Sequence, residues 1–138
     1  MIFKYSRRVY LADTDAAGVV YFARGIEICH EAYEESLAMS GISLKQMLQQ
    51  AIALPIVHAE IDFHRPLYCG DRLKIELRSN LINSSEFIVN YQIYTADIER
   101  IAIKAQTRHV CICINPQRKR SDLPSTIFDW INSREDEI

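Results

Sequence analysis

The sequence predicts an α+β fold in which a curled antiparallel sheet wraps around one long helix. Two patterns and one requirement predict it. Phe22, Ile26, Cys29, Tyr33 and Leu37 recur at spacings of four, three, four and four, one face of a helix that starts near Val20 to Phe22 and stops at Gly41. Beyond Pro55, apolar and polar residues alternate through four stretches separated by short turn-forming segments, and strands joined by tight reversals pair antiparallel. The helix carries Arg24, Glu27, Glu31, Glu34 and Glu35 on much of its other side, so its apolar stripe needs one large partner, which the strands supply.

Taken in order, residues 2–12 read as a strand on their aromatic and β-branched content. Asp13 to Gly18 form a loop, where Asp and Gly are natural residues, and the long helix follows. Ser43 and Gln46 fit a capping box that opens a short helix to about Gln50, before Pro55 breaks the chain. In residues 56–64, Val57, Ala59, Ile61 and Phe63 alternate with polar residues as a half-buried strand. Leu73, Ile75 and Leu77 mark the next strand. Asn83-Ser84-Ser85 mark a hairpin turn, and Phe87, Val89, Tyr91 and Ile93 its returning strand. Asp97-Ile98-Glu99-Arg100 is a second reversal, after which residues 101–114 read as one long strand. From Asn115-Pro116 the pattern weakens into a C-terminal tail, in which Pro124 to Trp130 form a short helix packing Phe128 and Trp130, and Arg134 to Ile138 fray.

The 138 residues suit a single domain spanning 1–138. With 49% hydrophobic and 25% charged residues the chain is ordinary for a globular protein, and a net charge of -2 gives no basic field for nucleic acid. No apolar run approaches the roughly 18 residues that cross a membrane, and the opening MIFKYSRRVYLAD lacks the apolar core of a signal peptide, so a cytoplasmic location is expected. Cys111 and Cys113 would share one face of the last strand, as buried thiols rather than a disulfide, and Cys29 and Cys69 complete a set expected to be reduced.

Asp15 is the first candidate for chemistry. A carboxylate just ahead of a helix is favoured in its ionised form, and the free N–H groups of that helix end can hold an oxyanion. A base or nucleophile beside an electrophilic stabiliser suits acyl transfer to water; the alternative is that Asp13 or Asp15 is only a helix cap. His58 and His64 share a strand face with Glu60 and Asp62, yet residues six apart on a strand lie about 20 Å apart, too far to share one ion. No metal site is therefore expected. Arg118-Lys119-Arg120 could meet phosphates or simply be solvated.

The run Val9-Tyr10-Leu11-Ala12-Asp13-Thr14-Asp15-Ala16-Ala17-Gly18-Val19-Val20-Tyr21-Phe22 resembles the signature of the hotdog-fold 4-hydroxybenzoyl-CoA thioesterase family, over about residues 3–114. Cys29 to Glu34, Leu54 to Ala59, Cys69 to Leu73 and His109 to Ile112 are similar to the branch whose members hydrolyse 1,4-dihydroxy-2-naphthoyl-CoA for phylloquinone (vitamin K1) in oxygenic phototrophs. The resemblance implies a hotdog fold, with Asp15 as catalytic carboxylate and the backbone N–H of Phe22 polarising the thioester carbonyl. It implies an acyl-CoA substrate, no cofactor, and homodimers assembled into a homotetramer. Arg65, Arg108, Arg118, Lys119 and Arg120 are candidates for CoA. Some relatives acting on short aliphatic acyl groups carry Tyr-His where this chain has Tyr21-Phe22, which excludes a helix-start histidine and gives an apolar wall suited to a flat aromatic acyl group. A general aromatic or aliphatic acyl-CoA or acyl-carrier thioesterase is the alternative, and a non-catalytic acyl-CoA binding protein a further one.

Overall fold

A computed structural model gives the fold; it describes residues 2–97 and 99–133, and the strand pairing of 136–137. The strands are β1 (Ile2–Arg8), β2 (Ile52–Ala53), β3 (Ile56–Phe63), β4 (Arg72–Asn83), β5 (Glu86–Thr95), β6 (Ile101–Val110), β7 (Ile112–Cys113), β8 (Lys119–Arg120) and β9 (Asp136–Glu137). The helices are α1 (Phe22–Met39), α2 (Leu44–Gln49) and α3 (Ser125–Ile131), with a single 3-10 turn at Leu11–Asp13. The main sheet runs β3-β6-β5-β4-β1-β9, and β2, β7 and β8 form a small second one. Every pairing is antiparallel except that of β9 with β1. A sheet wrapped around one long helix is the hotdog arrangement.

The core follows from the two periodicities. Leu73, Ile75 and Leu77 of β4, with Phe87, Val89, Tyr91 and Ile93 of β5, are buried at every second position. They meet Ile28, Cys29, Ala32, Tyr33 and Leu37 of α1. Each such large side chain contributes about 1.5–3 kcal/mol when fully buried. Gly25 marks the closest approach of helix to sheet: a Cβ there would lie 3.2 Å from Ile103 and 3.3 Å from Ile61 and Phe63. The helix ends where predicted, with Gly41 left-handed (φ +78°) and the Ile42 N–H donating to the Leu37 carbonyl at 2.9 Å. Ser43 caps α2 by accepting the Gln46 N–H at 3.2 Å.

Several expectations are corrected. The first strand stops at Arg8, because Val9 leaves β1's pairing with β4 to exchange hydrogen bonds with the Gly70-Asp71 turn and Tyr10 turns into the 3-10 segment. The apolar stripe of α1 holds Cys29, Tyr33 and Leu37 in the core as predicted and is widened by Gly25, Ile28 and Ala32, but its predicted first member, Phe22, is 63% exposed. The β3 strand is exposed on both faces apart from Ile61, because it is the sheet's edge and has β6 alone as neighbour. Residues 101–114 are two strands rather than one. The Val110 and Cys111 N–H groups turn aside to the carbonyls of Pro55 and Ser85, so Cys111 is buried while Cys113 sits half-buried in the small sheet. The short helix expected at Pro124 to Trp130 is borne out as α3, with Ile127, Trp130 and Ile131 buried, Phe128 packed against the core and the Trp130 indole N–H donating to Ser36 Oγ at 3.2 Å. In place of a frayed end, Asp136–Glu137 pair with β1. Ile98 of the second reversal, and Arg134, Glu135 and Ile138 of the C-terminal end, lie outside the described residues.

Candidate active site

Between the 3-10 turn and α1 the chain makes a small hairpin. Thr14 bridges Val20, the Asp15 N–H donates to the Val19 carbonyl at 2.9 Å, and the Gly18 N–H donates to the Asp15 carbonyl at 3.0 Å. Gly18 closes the turn at φ +80°, which a side chain would strain. The hairpin is docked on the loop after β3 by the Val20 N–H on the Leu67 carbonyl, at 2.8 Å, and by a bridge from Val19 to Tyr68. Asp15 is exposed at its tip. Its Oδ1 accepts the Ala17 N–H at 2.8 Å, and among the described residues Oδ2 has no hydrogen-bond partner.

The two aspartates divide. Asp13 is only 2% exposed, and its carboxylate accepts from Arg7, Arg24 and the Tyr10 N–H. Burial pushes this carboxyl up, but the Arg24 and Tyr10 hydrogen bonds and the two guanidinium charges outweigh it and hold the group below its usual range. Neither aspartate caps α1. Tyr21 is its N-cap, and no side-chain hydrogen bond caps the helix there. The Tyr21 N–H donates to the Asp13 carbonyl at 2.9 Å, so the hairpin stem runs directly into the helix. The N–H groups of Phe22 and Ala23, at the first two helical positions, have no intrahelical acceptor. The Phe22 ring is exposed and meets Tyr21 edge-on at 4.8 Å. An uncapped helix end, an exposed carboxylate oxygen and two exposed aromatic rings thus share one short segment.

A cleft of about 290 Å³ opens beside it, lined by Val19 and Val20 of the hairpin, Phe63 and Arg65 at the end of β3, Leu67, and Ile103 of β6. Of the basic candidates, Arg65 stands at this cleft. Arg108 and Arg120 stand at the other end of β6, both bonded to the buried Glu86, at 2.7 and 3.3 Å. Arg118 and Lys119 are exposed in the same region. Bonds from the Asn83 amide and Arg108 hold the Glu86 carboxyl below its usual range. One protomer therefore does not gather the five basic residues around one ligand. Among the described residues no three of His, Cys, Asp or Glu converge as a metal site, and all four cysteines are free. Burial pushes the Cys29 thiol up to about 12, which makes it inert.

The pairing of Asp13 with Arg7 and Arg24 is absent from the sequence reading, although an arginine at each flank of the Asp-Thr-Asp run was a visible signal. So is the environment of His109. That ring is buried, stacked on Phe87 at 4.7 Å, with Nδ1 3.3 Å from the Leu54 carbonyl and Nε2 2.8 Å from Thr107 Oγ1.

The thioesterase-like superfamily matches over residues 9–131. A 1,4-dihydroxy-2-naphthoyl-CoA hydrolase from Microcystis aeruginosa is 52% identical over 128 residues, covering 92% of this chain and 91% of that protein. One of the same name from Crocosphaera subtropica is 47% identical over 136 residues, covering 96% and 98%. The crystal structure of a 1,4-dihydroxy-2-naphthoyl-CoA thioesterase from Synechocystis superposes with a TM-score of 0.92 at 44% identity, covering 96% of both chains.

Proposed function

The chain belongs to the thioesterase-like superfamily, and we propose that it hydrolyses 1,4-dihydroxy-2-naphthoyl-CoA to 1,4-dihydroxy-2-naphthoate and CoA, in service of phylloquinone biosynthesis. The substrate is supported by relatives that carry this activity in their names at about half identity over nearly the whole chain. The chemistry is supported by one observation above all: among the described residues, Asp15 Oδ2 at the hairpin tip and the Phe22 and Ala23 N–H groups at the start of α1 have no hydrogen-bond partner.

In this reading the thioester carbonyl lies over the start of α1. The Phe22 N–H, with the helix dipole behind it, polarises the carbonyl oxygen and stabilises the oxyanion that forms on attack. Asp15 Oδ2 either attacks the carbonyl carbon, expelling CoA thiolate and leaving an anhydride that water opens, or takes a proton from the water that attacks. Tyr21, Phe22 and Phe63 offer flat apolar surface to the naphthoyl ring. Hydrolysis by a carboxylate and an amide needs no metal or redox group, and none is part of the proposal. The enzyme is cytoplasmic.

The exposed edge of β3 pairs antiparallel with its copy in a homodimer, two of which form a homotetramer. Such pairing carries the Arg108, Arg118, Lys119 and Arg120 end of one protomer toward the Arg65 end of its partner, where all five can share the CoA phosphates.

Asp15→Asn tests the chemistry. Removing a nucleophile or general base should lower kcat at least about 100-fold, by thiol release from 1,4-dihydroxy-2-naphthoyl-CoA, with the circular dichroism spectrum kept. Near-normal turnover would overturn the role of Asp15. Equal turnover of palmitoyl-CoA by the unmodified protein would overturn the substrate.

A further inference from the structure

The buried cluster behind the hairpin has no part in the chemistry above, yet it holds both of the groups that do. Asp13 Oδ1 accepts from Arg24 Nη2 at 2.5 Å and Nε at 3.2 Å, and Oδ2 accepts from Arg7 Nη2 at 3.0 Å and the Tyr10 N–H at 2.9 Å. Four donors fill two oxygens, so the ionised carboxylate is fully compensated out of water. The Asp13 carbonyl also accepts the N-cap N–H of α1. One residue is therefore tied to the strand before it, the 3-10 turn it closes, and the first turn of the helix after it.

Arg24 shows that this tie has a cost elsewhere. It lies in the first turn of α1, where a cation opposes the helix dipole. Its position is accounted for by the bonds to Asp13 and to Glu27, one turn on. Arg7 is anchored in turn: Glu31, in the middle of α1, takes Arg7 Nε at 3.2 Å and the Tyr5 hydroxyl at 2.7 Å. The chain of contacts Tyr5–Glu31–Arg7–Asp13–Arg24 thus joins β1 to two turns of α1. Asp13 is two residues from Asp15 and is too deeply buried to touch substrate.

We infer that Asp13 is a positioning residue: clamped by Arg7 and Arg24, it fixes the Asp15 hairpin against the first turn of α1 and so sets the distance between the Asp15 carboxylate and the Phe22 N–H. The inference rests on the roles proposed for those two groups. A fully bonded carboxylate between two guanidinium planes has one geometry, whereas an apolar contact at the same place would let the hairpin slide. The hairpin tip alone has no such restraint, being held by backbone bonds within a turn of exposed residues.

The test is a mutant cycle on kcat per folded molecule, with 1,4-dihydroxy-2-naphthoyl-CoA as substrate and the folded fraction taken from circular dichroism. Asp13→Asn should lower kcat about 10–100-fold with KM nearly unchanged, the loss expected when a reacting group is misplaced by about 1 Å. Arg24→Lys keeps the charge but not the two-pronged geometry, and should lower kcat by an intermediate factor. In the Asp15→Asn background, Asp13→Asn should have little further effect, because there is no carboxylate left to position. Unchanged kcat in Asp13→Asn overturns the inference. So does an equal fractional loss in both backgrounds, which would mark an effect that does not act through the Asp15 carboxylate. Failure of the Asp15 reading shows separately, as near-normal turnover in Asp15→Asn with Asp13 intact.

Discussion

Acid should destabilise this protein through one buried ring, that of His109. The Leu54 carbonyl beside Nδ1 can only accept, so Nδ1 carries the proton, and Nε2 accepts from the Thr107 hydroxyl. Thr107 in turn accepts from the Tyr91 hydroxyl at 3.1 Å, which completes a chain satisfied by a neutral imidazole. Protonation would put a second donor against Thr107 and a charge between the rings of Phe87 and Tyr33, each 4.7 Å away. Burial accordingly pushes the group down from 6.5 to about 4, with the Leu54 carbonyl opposing and His30 adding slightly. A folded-state value below the unfolded one means that the unfolded chain binds the proton first. The stability is fully present above pH 6.5 and is lost as the pH falls toward 4. The whole shift is worth about 3 kcal/mol, of which about 2 kcal/mol is gone by pH 5. Urea unfolding at fixed protein concentration, followed by circular dichroism between about pH 7.5 and 4.5, should show this fall. His109→Gln should be less stable at neutral pH but should show a flatter pH dependence across the same window. Parallel curves for the two proteins would refute the assignment of the acid sensitivity to His109.

Two other outcomes follow from the packing. Trp130→Ala should cost about 3–5 kcal/mol, read from the urea midpoint, because a fully buried indole would leave a cavity against Tyr33 and Phe87. Turnover per folded molecule should be unchanged, since none of these residues lines the cleft. Val57→Lys, on the exposed β3 edge, should weaken self-association, so that light scattering gives a smaller mass than for the unmodified protein at the same concentration. A monomeric mass for the unmodified protein would remove the paired-edge arrangement.

The main elements were legible because each is a local pattern. A period near 3.6 over residues 22–37 can only bury a stripe as a helix, and the alternation in β4 and β5 can only bury a face as strands. Gly41 and Ser43 marked helix boundaries because backbone geometry and capping depend on neighbours a few residues away. The loop from Asp13 to Gly18 was legible for the same reason, lying before a strongly patterned helix. The misreadings have the opposite character. Cys111 has the composition of a strand residue, yet Ser85, distant in sequence, takes its N–H and ends β6. The alternation of β3 is as regular as that of β4, but β3 lies at the sheet edge and stays exposed.

What the linear pattern specified, then, is the kind of each long element and the short loop that carries both aspartates. Which of two neighbouring aspartates is buried was settled by Arg7 arriving from β1 and Arg24 from α1, and which histidine is held neutral by Phe87, Tyr33 and Leu54 closing around position 109. Periodicity says which way a side chain points relative to its own backbone. Whether that direction meets water, an aromatic ring or an opposite charge depends on segments brought together only when the sheet closes over the helix.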